Sequence, residues 1–237
     1  MLTVALLTGR GNNTLKDKNV QSLLGRPALY YPANAARRTK SISFWYVSSD
    51  DEKILNAAEE IGYEKIVRPS ELAKPTSQHI DCIVHALEVM RQKGVEPDIL
   101  VVLLANNITV KSQWIDDCVG LLQGNPHYTA AVPVYEDNDH HPLRAKSVNL
   151  DGTLSTYLMT DKPISTNRQD LPQCYFLAHN FWALRTDAIY KHKTEGQPPW
   201  TFMGDTIFPY IIEESIDIHK EIDLKIAEKW IVDNYID

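Results

Sequence analysis

Cysteine is scarce in this 237-residue chain. The three residues, Cys82, Cys118 and Cys174, lie far apart, with no CxxC or Cys/His zinc spacing among them. That argues against a metal ribbon or a disulfide framework and predicts buried thiols in a reduced, cytoplasmic protein. No apolar run approaches the ~20 residues a membrane helix needs, and no basic segment with a cleavage site precedes the first strand-like run. Lys and Arg number 24 against 31 Asp and Glu, a net charge of −7, which excludes a general nucleic-acid binder. Repeats, low-complexity stretches and long Gly/Ser linkers are absent. So are the two common phosphate fingerprints, GxxxxGK[ST] and GxGxxG.

What is present is alternation. Apolar, β-branched runs at Leu2–Leu7, Ser43–Ser48, Asp98–Leu104 and Thr129–Val134 predict strands. Helical spacing predicts helices within Gln21–Arg38 and over Asp51–Ile61, Ile80–Met90 and Ile115–Leu122. Gly62 stands where the second helix should stop. The near-continuous "DILVVLL" suits the middle of a parallel sheet. Right-handed βαβ units in a three-layer α/β/α sandwich follow, as one domain over 1–237. From Glu136 to about Cys174 the pattern changes to period two around Asp151-Gly152, a hairpin signal. This reads as an inserted β-arm without a core of its own, suited to forming a homodimer. Phe176–Leu184 returns to the sheet, Ile207–Ile212 and Ile216–His219 are short strands, and Ile222–Val232 closes as an amphipathic helix.

In open α/β sheets, ligands sit at the carboxyl ends of strands, and the first such end reads "GRGNNTLKDKN". Gly9 and Gly11 let backbone approach a ligand, with their amides free to point into one concavity. Arg10, Lys16 and Lys18 supply positive charge, and Asn12, Asn13 and Asn19 supply neutral donors. That inventory suits a polyanion such as a triphosphate. On spacing alone, a solvated polar loop remains an equal reading.

Several stretches resemble the CMP-sialic acid synthetase (acylneuraminate cytidylyltransferase) family, related to the CMP-Kdo synthetases. "GRGNNTLKDKN" with "LLGRPALYYP" is similar to the family's A-R-x-x-S-K-G-[IL]-x-x-K-N and x-G-x-P-L. "VSSDDEKILNAAEEIG", "RPSELAKPTSQHIDCIVHALE", "HHPLR", "RQDLPQCY" and "SIDIHKEIDLKIAE" match further family motifs in the same order. Together they span nearly the whole chain. The resemblance implies a Rossmann-like, GT-A-like nucleotidyltransferase. Its reaction is transfer of CMP from CTP to the anomeric hydroxyl of an acidic 2-keto-3-deoxy sugar, with release of pyrophosphate. Kdo, an 8-amino-Kdo-type sugar or a phosphonate are alternative acceptors. A catalytically weakened nucleotide-binding relative is the competing class.

By the same resemblance, Leu7 to Asn19 wraps CTP, with Leu7, Gly9, Arg10, Gly11, Asn12, Asn13, Lys18 and Asn19 in contact, and Arg68-Pro69 and the Ala73–Ser77 loop, Ser77 included, border the cytosine. Catalytic roles fall to Arg10, Lys18 and Asp217. Arg168 and Gln169, with His79 and Asn107, face the acidic sugar, Arg168 in trans across a dimer. Asp217, with His219 or Asp223, holds Mg²⁺, or Mn²⁺ given an imidazole where the family has aspartate. The departures cluster. The family's loop arginine falls on Gly9 and its lysine on Asn13, "LLQPTSPLRT" reads "LLANNITVKS" with Ala105 for glutamine and Asn107 for threonine, a serine becomes His79, and "NGAIY" becomes "AHNFW". The nucleotide side is retained better than the acceptor side.

Overall fold

Every residue of the first strand, β1 (Thr3–Thr8), is buried, as an uninterrupted apolar run requires when both faces of a sheet are covered. The structure is a computed structural model describing residues 1–11, 15–161 and 163–234. Asn12 and Asn13 lie outside the described residues. After β1 come a hairpin of β2 (Ser22–Leu23) and β3 (Arg26–Pro27), α1 (Tyr30–Arg37), β4 (Phe44–Ser49), α2 (Glu52–Glu59) and β5 (Glu64–Val67). Then follow α3 (His79–Gln92), β6 (Ile99–Leu104), α4 (Ser112–Gly124) and β7 (Ala130–Glu136). A second hairpin, β8 (Lys146–Val148) and β9 (Leu154–Thr156), precedes β10 (Tyr175–Leu177), β11 (Phe181–Arg185), α5 (Thr186–Tyr190), β12 (Ile207–Ile211) and α6 (Glu221–Asn234).

The main sheet runs β5–β4–β1–β6–β11–β7, with β10 and β12 also pairing β7; it is parallel except for β11, antiparallel to β6 and β7, and β10, antiparallel to β7. Side chains alternate across it. Ala5, Leu7, Val101 and Leu103 pack under α1, α2 and α4, while Val4, Leu6, Leu100 and Val102 pack under α3 and α5. The three-layer expectation holds. A third cluster, with Leu23, Ile108, Ile216, Ile218 and Trp230, lies beneath α6.

Local signals explain the element ends. Asp51 caps α2 by accepting from the Lys53 amide at 2.8 Å. Gly62, at φ +89°, closes it, and the Tyr63 amide reaches back to the Ala58 carbonyl at 3.1 Å. The helix expected within 21–38 forms as α1, preceded by a tight turn at Leu24 and Gly25, both at positive φ, between β2 and β3. Two expectations change. The segment 176–184 is split into β10 and β11. Leu177 faces Val134 but Ala183 faces Ala131, so three extra residues are accommodated between them, around Ala178–Asn180. Ile216–His219 is no strand but makes one isolated bridge, Asn107 to Asp217. Its stabilisation comes from burial of Ile216 and Ile218.

The hairpin predicted around Asp151-Gly152 forms, with Gly152 at φ +82° and β8 antiparallel to β9, outside the main sheet. Val148, Leu150, Leu154 and Met159 on this arm are exposed. Among the described residues no helix is long and apolar enough to cross a membrane.

Candidate active site

The carboxyl ends of β1, β5 and β6 meet at a cavity of about 220 Å³, lined by Thr8, Gly9, Arg10, Lys18, Asn19, Arg68, Lys74, Ser77, His79 and Asn106 among others. Four of these are cationic, a local reversal of sign in a chain of net charge −7. Such a concavity suits a polyanion.

The glycines matter through contact. A Cβ on Gly9 would lie 3.1 Å from the Ala105 Cβ, and one on Gly11 would lie 2.7 Å from Asp51 Oδ2. Their amides, expected to face the ligand, instead donate to the Ser48 carbonyl at 3.3 Å and to Asp50 Oδ1 at 3.1 Å. With both amides satisfied at and just after the end of β4, side chains and not a glycine nest are the groups available to an anion. Leu7 is packed in the core, away from the cavity lining. Asn19 is buried and holds the loop, its Nδ2 donating to the Arg10 carbonyl at 3.0 Å. Arg10 Nη1 in turn donates to the Lys74 carbonyl at 3.0 Å. Arg68, also buried, donates to the Ser48 carbonyl at 2.7 Å, and Ser77 Oγ donates to the Glu71 carbonyl at 2.8 Å.

His79 opens α3. Its Nε2 lies 3.0 Å from Thr8 Oγ1, and that hydroxyl donates its one proton to the Leu103 carbonyl at 3.1 Å. Thr8 therefore accepts, and His79 carries its proton on Nε2. Burial, then Arg68 and His179, push the His79 pKa down to about 4, so the ring is neutral at pH 7.

Lys18 joins the cavity to the carboxyl-terminal motif. Its buried Nζ donates to the Ile218 carbonyl at 2.9 Å; burial lowers its pKa and Asp217 opposes that fall. The Asp217 pKa is raised, by burial first, against the opposing pull of His219 and Lys18. Asp217 and His219 point to the same side, as alternation predicts, with Nε2 to Oδ2 at 3.0 Å. Asn106 Nδ2 donates to the other Asp217 oxygen.

Among the described residues no cluster of three or more His, Cys, Asp or Glu is arranged to hold a metal. Asp223 does not join the pair. Its Oδ2 accepts from the His219 and Lys220 amides at 2.8 and 2.7 Å, satisfying backbone donors at the start of α6. One carboxylate with a neighbouring imidazole fits a cation held chiefly by phosphate oxygens and water, the usual arrangement for Mg²⁺.

The acceptor-side residues are only partly brought together. Asn107 is fully buried; its amide donates to Ser215 Oγ at 2.8 Å and its carbonyl accepts from Thr109. Asn106, one residue earlier, faces the cavity in its place. Arg168 and Gln169 stand exposed in a short turn of the arm, with Arg168 Nη1 paired to both oxygens of Asp139 at 2.7 and 2.9 Å. Neither lines the cavity. Sequence reading missed Asn106 as a lining residue, whereas Thr8 and Lys74 fall within the Leu7–Asn19 and Ala73–Ser77 segments it pointed to without being singled out. It noted "AHNFW" only as a departure. His179 there packs edge-on to Trp182 and tilted against Trp200, with centroids 5.8 and 5.4 Å away.

Comparisons with known proteins follow the same geography. An N-acylneuraminate cytidylyltransferase from Escherichia coli O18:K1:H7 is 31% identical over 87 residues, 36% of this chain. That match spans about a fifth of the enzyme's length, 21%. A 3-deoxy-manno-octulosonate cytidylyltransferase from Thermodesulfovibrio yellowstonii is 25% identical over 198 residues, covering 81% of this chain and 73% of that one. The fold is similar to a CMP:2-keto-3-deoxy-manno-octonic acid synthetase solved in complex with CTP, at 15% identity and a TM-score of 0.73 over 98% of this chain and 99% of that one. It is also similar to a 4-diphosphocytidyl-2C-methyl-D-erythritol synthase from Anaerococcus prevotii, at 13% identity and a TM-score of 0.65 over 98% and 96%. The sequence profile of the cytidylyltransferase family matches residues 10–227, nearly the whole cavity-bearing sheet and its carboxyl-terminal motif, and the chain belongs to that family.

Proposed function

We propose that this protein transfers CMP from CTP to the hydroxyl of an acidic 2-keto-3-deoxy sugar and releases pyrophosphate. The observation that carries the reading is the cation-lined cavity at the end of β1, tied by the Lys18 bond to the Ile218 carbonyl to the segment that carries Asp217. The triphosphate lies against Arg10, Lys18 and Lys74, with Arg68 and Ser77 toward the cytosine. The acceptor hydroxyl attacks the α-phosphorus in line. Lys18 and Arg10 neutralise charge that grows on the departing pyrophosphate. Asp217, with His219 beside it, would hold Mg²⁺ or Mn²⁺, which supplies further charge neutralisation on the phosphates when bound.

Kdo is the first acceptor to test, because the octulosonate enzyme matches over most of this chain; a sialic acid-type nonulosonate is the second. The arm carries the further proposal of a homodimer, with Arg168 of one subunit reaching the sugar carboxylate of the other. A CTP-dependent sugar-activating enzyme of this kind works in the cytoplasm.

A second reading, nucleotide binding without turnover, is favoured by one observation: both Asp217 oxygens are already engaged, by Asn106 and His219. The test is pyrophosphate release from CTP with Mg²⁺ or Mn²⁺, over a panel of Kdo, N-acetylneuraminate and related acids, beside calorimetry of CTP. The first reading expects heat with CTP and pyrophosphate with at least one acid. Heat without pyrophosphate supports the second, and no heat removes both.

A further inference from the structure

Ser77 and His79 differ from the cations of the cavity lining in what they can offer a ligand. Arg10, Lys18, Arg68 and Lys74 carry only side-chain donors. Ser77 Oγ spends its one proton on the Glu71 carbonyl at 2.8 Å, so toward the cavity it can only accept. His79 spends its Nε2 proton on Thr8 Oγ1 at 3.0 Å, and Thr8 cannot reverse that bond because its own proton goes to the Leu103 carbonyl. The other nitrogen, Nδ1, is therefore a lone pair. It has no partner among the described residues and is not sealed in the core, and the ring it belongs to lines the cavity. With a pKa pushed down to about 4, the ring keeps that lone pair at pH 7.

The two acceptors stand two residues apart, where the loop after Leu72 enters α3. Arg68 begins the same connection, just after β5. Its Nε and Nη2 are spent on Ser48, at 3.3 Å to Oγ and 2.7 Å to the carbonyl. Its Nη1 has no partner among the described residues and is likewise not sealed. One stretch of chain thus presents two acceptors and a charged donor to the cavity. Lys18 is held elsewhere, by the Ile218 carbonyl of the carboxyl-terminal motif.

That set of groups complements an aminopyrimidine. Cytosine carries two protons on its N4 amino group and acceptors at N3 and O2. Uracil carries a carbonyl oxygen in place of the amino group and a proton on N3.

We propose that His79 selects cytosine over uracil, its Nδ1 and Ser77 Oγ accepting the two N4 protons while Arg68 Nη1 donates to the acceptor edge of the ring. The inference rests on the CTP-dependent reaction proposed above and names what reads its base. It moves His79 from the sugar, where the family resemblance put it, to the nucleotide. A uracil oxygen in the same position would face two lone pairs with no proton between them, a mismatch that donors elsewhere in the cavity cannot relieve.

The experiment is calorimetry of CTP and of UTP, each with Mg²⁺, on the intact wild-type chain and on His79→Gln, His79→Asn and Ser77→Ala. The glutamine amide can reach Thr8 as Nε2 does but puts no acceptor at Nδ1, whereas the asparagine amide can keep one there. Wild type is expected to bind CTP roughly a hundredfold more tightly than UTP, and His79→Gln to lose about tenfold of that preference. Ser77→Ala should lose about threefold or more, and His79→Asn should keep a larger preference than His79→Gln. A preference in His79→Gln equal to that of wild type overturns the inference and leaves the CTP reaction standing. Equal losses in His79→Gln and His79→Asn also overturn it, since the ring would then act by packing alone. If His79→Gln binds neither nucleotide, Ser77→Ala decides, and an unchanged preference there overturns the inference. Wild type that binds CTP and UTP alike overturns it too, with the cationic phosphate site intact. Wild type that binds no CTP defeats the reaction itself, and this inference with it.

Discussion

His79 shows how one side chain can report on its own environment through pH. Its folded pKa is about 4 against an ordinary 6.5, so below pH 6.5 the unfolded chain binds the proton and the folded chain does not. Stability therefore falls as pH drops from 6.5 toward 4, by at most about 1.4 kcal/mol per pH unit from this group. Above pH 6.5 it contributes no slope. Chemical denaturation across pH 4–8 should show a shallower acid decline for His79→Gln than for wild type; equal declines would mean the ring is better solvated than its contacts imply. Asp217 makes a second test at this scale. Asp217→Asn should cut kcat by roughly 10²-fold or more, since a carboxylate that neutralises or holds charge at the phosphates acts mainly in the transition state.

Helix α6 separates two carboxylates that the sequence alone treats as equivalent. Asp217 is half-buried and coupled to Lys18, whereas Asp223 closes the first turn of α6 by accepting two backbone amides. Asp223→Ala is expected to lose about 1 kcal/mol of stability, as helix-start acceptors do, with its half-maximal Mg²⁺ concentration unchanged. Urea titration beside a Mg²⁺ dependence checks both halves, and a marked rise in the Mg²⁺ requirement would return Asp223 to the metal site. The split between β10 and β11 works in the same way. A break that costs ladder hydrogen bonds persists because buried Asn180 satisfies the neighbouring backbone.

For the whole molecule, the arm is the open valence. Its hairpin lies outside the main sheet and presents Val148, Leu150, Leu154, Tyr157 and Met159 to solvent, more apolar surface in one place than single exposed residues account for. Sedimentation at micromolar concentration should give a species of about twice the 27.0 kDa chain, and Leu150→Asp with Leu154→Asp should convert it to monomer. A wild-type monomer would remove both the dimer and any role for Arg168 across subunits. In the single chain Arg168 is occupied by Asp139, which a partner's substrate would have to displace.

Local chemistry was enough to read the layers, because strand periodicity, the Asp51 cap and Gly62 act over a few residues and agree with the final packing. Residue type made the first loop legible as anion-binding chemistry and alternation put Asp217 and His219 on one side, while the roles expected of Lys18 and Asp217 came from the family resemblance. The sequence could not say where side chains separated by a hundred or more residues finally bond. Lys18 to Ile218, Asn106 to Asp217 and Asn107 turned inward to Ser215 are all tertiary outcomes. Adjacent asparagines carry the same donors and acceptors. Only the backbone course after β6, set by burial of Ile108, Ile216 and Ile218, decided that one faces the cavity and the other the core.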